Sequence, residues 1–197
     1  MMPIVREEPA LYPEGLFDLD VAAHPWHVAH VKSRCEKSLA RHLHQSSSPY
    51  YLPQLRKITA RSGRNFVSHL PLLQGYVFLR GSAQVCSDAL RSGVVVSLLP
   101  VRDQGQLHDE LRQIHDLLAR GIPLQVETTL SPGDQVLVKS GPFEGYRGII
   151  VQQGRRSRLL VNITMLKKQV SVEFDPMALG PDCAGLHSRA HRKEHYR

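Results

Sequence analysis

Cys183, His187, His191 and His195 recur at every fourth position near the end of the chain. On a helix they would line one face, and neighbouring pairs could share a metal ion. The ends of such a stripe would lie roughly 18 Å apart at about 1.5 Å per residue, so one tetrahedral ion cannot collect all four. The stretch from Pro176 therefore reads as a polar, basic tail, and no metal or other cofactor is expected. Cys35 follows Arg34 near the start of a helical pattern, a setting that lowers a thiol pKa, yet no local motif puts a general base beside it. No P-loop, G-x-S-x-G or HExxH sequence occurs. The residues do not point to an enzyme.

What remains is the chemistry of binding. The chain of 197 residues carries a formal charge of +7 and has a pI near 9.6. The charge is unevenly placed: −4 over residues 1–24, +2 over 176–197 and +9 in between. A basic middle favours a partner rich in phosphate or carboxylate. Lys37 and Arg41, one helical turn apart, form a basic stripe with Lys32 and His42 near it. Three widely separated cysteines argue for a reducing compartment without a disulfide framework. The acidic, proline-bearing start lacks the basic region and apolar run of a signal peptide, and no stretch is long and apolar enough to span a bilayer. A soluble, cytoplasmic monomer is expected.

These residues need elements to place them. Trp26 to Val31 alternates as a short strand. Ser33 stands as an N-cap with Glu36 at capping-box spacing, opening a helix to about His44 with Leu39 and Leu43 on its buried side. Tyr50 to Ile58 reads as a second strand, and residues 61–64 as a turn. Asn65 to Leu70 returns as the second arm of a basic hairpin. The turn Gln74-Gly75 then feeds a strand with Tyr76 and Phe78 on one face and Val77 and Leu79 on the other. Apolar residues on both faces predict a central strand covered on both sides; the alternative is that the Tyr/Phe face is offered to a partner. Ser82 caps a short helix to Arg91, Val94 to Leu99 is a buried strand, and residues 106–119 form an amphipathic helix with Leu107, Leu111, Ile114, Leu117 and Leu118 on one side. After residue 130 helical periodicity stops, and short strands near 136–138, 148–151, 159–163 and 170–174 predict a small all-β barrel of five strands.

At Gly133-Asp134-Gln135-Val136-Leu137-Val138 and Gly141-Pro142-Phe143-Glu144-Gly145-Tyr146-Arg147-Gly148-Ile149-Ile150 the sequence resembles the KOW motif of the NusG transcription-factor family. In physical terms, Gly145 and Gly148 allow positive φ or close strand approach, and Phe143 and Tyr146 pack over the barrel end. Trp26-His27-Val28, Lys32, Glu36-Lys37, Tyr51-Leu52-Pro53, the basic hairpin and Gly75-Tyr76-Val77-Phe78 resemble the N-terminal domain of the same family, in order and spacing from about residue 25 to 175. The sequence departs from it at Gln74, where the family usually has Pro, and at Leu72 and Leu73, where it usually has Phe.

The resemblance implies an α+β protein. A small α/β N-terminal domain (25–120, an antiparallel sheet flanked by helices) follows a flexible arm (1–24). A linker (121–130) leads to an SH3-like five-stranded KOW β-barrel (131–176) and a basic tail (177–197). It implies docking on the β′ clamp helices of RNA polymerase with a bridge to the β-subunit lobe, for which His27, His30, Tyr51, Leu73, Tyr76 and Phe78 are the candidates, Tyr76 and Phe78 foremost. Lys32, Lys37, Arg41 and His42 would face the upstream fork or the displaced non-template DNA strand. The KOW barrel would recruit a small-subunit ribosomal protein or Rho through Ile163, Met165, Leu166, Lys167 and Lys168. That loop lacks the Phe and Gly of the housekeeping pattern Ile-Phe-Gly-Arg, which resembles the specialised antiterminator branch typified by RfaH. The β-branched barrel strands favour a stable barrel with no refolding. The other readings are a housekeeping, Rho-linked NusG and, from another class, a ribosome-associated KOW RNA-binding protein.

Overall fold

In the computed structural model, which describes residues 9–61, 63–127, 136–138, 143–153 and 156–174, a unit of mixed helices and strands and an all-strand unit fall on either side of a division between Gly121 and Ile122. In the first unit, strands Leu11–Tyr12 (β1), Trp26–Val31 (β2), Tyr50–Tyr51 (β3), Gln54–Arg61 (β4), Arg64–Pro71 (β5), Tyr76–Arg80 (β6) and Val95–Leu99 (β7) are joined with helices Glu36–Gln45 (α1), Ala83–Arg91 (α2) and Gln104–Ala119 (α3). Five of the strands form one antiparallel sheet in the order β1-β3-β6-β2-β7, while β4 and β5 pair only with each other as a two-stranded ribbon.

The central place expected for the Tyr76 strand is observed. Val77, Phe78, Leu79 and Arg80 of β6 are all buried, because helices cover both faces of the sheet. Ala29 and Val31 of β2, Tyr50, Leu52, Val77 and Leu79 pack against Leu39, Ala40 and Leu43 of α1 and Val85 and Ala89 of α2. The opposite face carries the cross-strand pairs Trp26–Arg80 and Val28–Phe78 with Tyr51 beside Phe78. Rings of α3 reach this face, His108 beside Trp26 and His115 beside Tyr51.

The arm expected over residues 1–24 is a correction from Pro9 onward. Residues 9–24 are packed as a strap: β1 adds to β3, and Leu16 and Phe17 are buried. Burying two such side chains stabilises by about 1.5–3 kcal/mol each, more than a segment read only from its prolines and acids suggests. The capping box is also corrected. A turn closed by Cys35 N–H on the Lys32 carbonyl, with Arg34 at φ 61°, makes Cys35 the N-cap, with no side-chain cap. The Glu36 carboxylate instead accepts the Gly75 N–H at 2.6 Å. The Tyr50–Ile58 strand breaks at Leu52-Pro53 into β3 and β4, since Pro53 has no N–H for a ladder and the Leu52 N–H goes to Ala10. The strand expected to be buried at 94–99 is an edge: β7 pairs only with β2, and Val96 is 58% exposed. Ser82 caps α2 as expected, accepting the Gln84 N–H.

The second unit is an antiparallel five-stranded sheet, Leu124–Val126 (β8), Val136–Leu137 (β9), Arg147–Gln153 (β10), Arg156–Ile163 (β11) and Lys168–Phe174 (β12), in the order β8-β12-β11-β10-β9. β8 falls inside the segment expected to be linker, because Leu124, Gln125 and Val126 complete the edge of β12. Gly145 takes φ +84°. At Gly148 a Cβ would meet the Leu160 carbonyl oxygen at 2.4 Å, so one glycine serves a turn and the other a close strand approach. Phe143 and Tyr146 are buried and pack edge to face at 6.0 Å. Gly133-Asp134, Gly141-Pro142 and the Cys183–His195 stripe lie outside the described residues.

Candidate functional site

The residues expected to form an apolar docking patch divide into inner and outer groups. Tyr51, Leu73 and Phe78 are at most 1% exposed. Tyr51 and Phe78 lie on a covered face of the sheet and Leu73 is buried in the bend between β5 and β6, so all three are corrected from contact residues to core. Tyr51 is capped by Phe17 at 5.2 Å between ring centroids; burial, with the Asp116 charge adding to it, raises its phenol pKa. His27 is half-buried and ties its Nε2 to the Gly81 carbonyl at 3.0 Å. The outer group is His30 and Tyr76. They sit opposite each other on β2 and β6, half-buried, with ring centroids 5.3 Å apart. The turn before Tyr76 holds them there. Gly75 at φ +83° gives its N–H to Glu36 and its carbonyl to the Val31 N–H at 2.9 Å.

The basic residues are placed more loosely. Lys32 donates to the Gly93 carbonyl at 2.9 Å but stays exposed. His42 holds the Asp88 carbonyl at 2.9 Å, which clasps α1 to α2. Beside it the Asp88 carboxylate is held below its ordinary pKa by the Ser48 hydroxyl, then by Gln84 and Arg91. Lys37 is half-buried and Arg41 exposed, one turn apart on α1. In the second unit Ile163 is fully buried and is corrected to core. Met165 and Leu166 lie half-exposed in a 3-10 turn between β11 and β12, Lys167 is exposed at φ 50°, and Lys168 starts β12.

Reading the sequence missed the ribbon's apolar content. Ile58, Phe66, Val67 and Leu70 on β4 and β5 are between 44% and 54% exposed. Cross-strand register puts Ile58 with Val67 on one face, and Phe66 and Leu70 on the other. Exposed Arg56, Lys57 and Arg64 stand among them. Apolar residues on both faces normally signal a central strand; here, among the described residues, no third strand pairs with the ribbon. A ribbon that leaves large apolar side chains in water is a surface awaiting contact, with cations interleaved.

This architecture coincides with a family match. Residues 24–115, from just before β2 into α3, match the NusG family, described as transcription termination factor nusG. The chain carries a NusG domain. NusG-family proteins are transcription factors, and members act with RNA polymerase. The strap over residues 9–23 precedes the matched NusG segment, and the second unit follows it. Among solved structures, NusG from Thermotoga maritima, studied for its domain interaction, is 19% identical, with 81% of this chain and 98% of that one covered at a TM-score of 0.42. The MjSpt4:Spt5 complex gives 14% identity, coverage of 78% and 94%, and a TM-score of 0.27. No curated protein matches the chain. Among the described residues, no helix is long and apolar enough to cross a membrane, and no group of three or more His, Cys, Asp or Glu is arranged to hold a metal ion.

Proposed function

We propose that the chain binds RNA polymerase through its NusG domain and promotes processive, antiterminating elongation. The observation that carries this reading is the NusG match over residues 24–115, combined with apolar surface left exposed on that domain. His30 and Tyr76 form the docking patch for the β′ clamp helices. The apolar ribbon, with Ile58, Phe66, Val67 and Leu70, spans toward the β lobe. Lys37 and Arg41, with Lys32, lie along the displaced DNA strand and contact phosphate without reading sequence. The second unit is a KOW barrel that recruits a ribosomal partner through Met165, Leu166 and Lys167. With no aromatic anchor in that turn, the reading is of a specialised factor, and Rho binding as tight as that of a housekeeping NusG would overturn that part.

The test of the polymerase reading is Tyr76→Ala in the intact protein. Truncating an aromatic anchor at an interface costs about 2 kcal/mol, so binding to core polymerase weakens about thirtyfold with the fold retained. Unaltered affinity in a folded variant would remove Tyr76 from the site. Lys37→Gln with Arg41→Gln lowers affinity and flattens its salt dependence, since fewer counterions are released; an unchanged slope makes the stripe a solvated helix face.

A further inference from the structure

The strap is fastened at two ends. At its outer end β1 pairs with β3, and Tyr50 Oη donates to the Pro9 carbonyl at 2.9 Å. At its inner end Phe17 lies stacked on His115, 5.0 Å between centroids, and edge-on to Tyr51, and the buried Arg80 guanidinium donates to the Leu19 carbonyl. Arg80 itself rests over the Trp26 ring at 4.7 Å and meets His108 Nδ1 at 2.8 Å. Trp26 Nε1–H points at the same Nδ1 from 3.4 Å. A guanidinium and an indole N–H only donate. His108 Nδ1 therefore carries a lone pair, and the ring is the neutral tautomer protonated at Nε2.

We propose that residues 9–24 are an acid-released strap, opened by protonation of His108 and uncovering the Trp26–Tyr51 face of the sheet. A proton on Nδ1 turns the acceptor of Arg80 into a donor and sets two cations against each other in a buried place. Arg80 keeps its charge, so it must turn away, and the Leu19 carbonyl loses its donor. His108 is faced by Arg80 from β6, Trp26 from β2, Phe17 and Asp18 from the strap, and Asp109 and Arg112 from its own helix. Burial and the Arg80 charge dominate and hold its pKa below the ordinary value, against the weaker pull of Asp109 and Asp18. His115, on the other side of Phe17, is also held low, first by burial and then by Arg112 against Asp116.

Trp26 is the sole tryptophan and reports the strap directly. On lowering the intact protein from about pH 8 to about pH 5, its emission should move toward that of water-exposed indole with the far-UV circular dichroism held. Chymotryptic cleavage within residues 9–24 should become at least ~tenfold faster as the local opening grows. His108→Asn, which keeps a neutral acceptor, should lose the response; Phe17→Ala should show the open state already at neutral pH. Histidine NMR titration of the unmodified protein serves if either variant misfolds, with the His108 transition expected to coincide with shifts of Trp26. A response that survives His108→Asn, that accompanies loss of the far-UV signal, or that is absent down to about pH 5 overturns the proposal, as does a His108 titration that leaves Trp26 unmoved.

Discussion

Glu36 and Gly75 show how a single pair fixes the outer patch. The buried carboxylate at the start of α1 takes the Gly75 N–H across 39 residues of chain, and the glycine's φ of +83° suits no other residue well. Glu36→Ala strands that amide and should destabilise the first unit by about 1–3 kcal/mol, read as a lowered urea midpoint at unchanged slope. Gly148→Ala is the counterpart in the second unit. Its Cβ would sit 2.4 Å from a backbone oxygen, and overpacking of this kind costs about 1–3 kcal/mol or more, seen as selective loss of amide protection in β10 and β11. Gly145 and Gly148 were legible because a missing side chain has few structural uses. Phe78 and Tyr51 were not, because an aromatic residue on a strand reads the same whether a partner protein or the chain's own Phe17 covers it.

Among elements, the strap and the ribbon make opposite predictions. A chain beginning at residue 25 lacks Leu16 and Phe17 and should melt well below the full chain, since each contributes about 1.5–3 kcal/mol. Ile58→Ser with Phe66→Ser on the ribbon should leave the melting temperature within experimental error, because exposed positions usually change stability by less than about 0.5 kcal/mol; a large drop would mean the ribbon is core. Helix α3 adds a pH dependence. Its His108 and His115 are held below their ordinary pKa by burial, so below about pH 6.5 the unfolded chain binds more protons than the folded one. The stability they provide is complete above that value and falls as pH drops through the depressed folded values. The urea midpoint should therefore fall on acidification, and His108→Asn with His115→Asn should flatten the fall. Helices α1 to α3 were readable from their apolar spacing. The strap was not, since two buried residues among prolines and acids make no period.

For the molecule as a whole, the sheet order is what sequence period does not reveal: β2 comes second in the chain but sits between β6 and β7. Non-consecutive pairing is set by how both helical layers close over the sheet, which no local pattern encodes. That order has a consequence for how the protein is made. The Trp26 N–H is held by the side chain of Gln104, 78 residues further on, and both lateral neighbours of β2 follow α1 and the ribbon. A nascent chain cannot complete this sheet until β7, and the Gln104 that follows it, have cleared the ribosome. At about 5–20 residues per second, Val28, Ala29 and Val31 wait roughly 2–14 s for their partners in β6 and β7. Strand β2 thus emerges before either lateral neighbour, and the yield of folded protein in the cell depends on what shields it during translation.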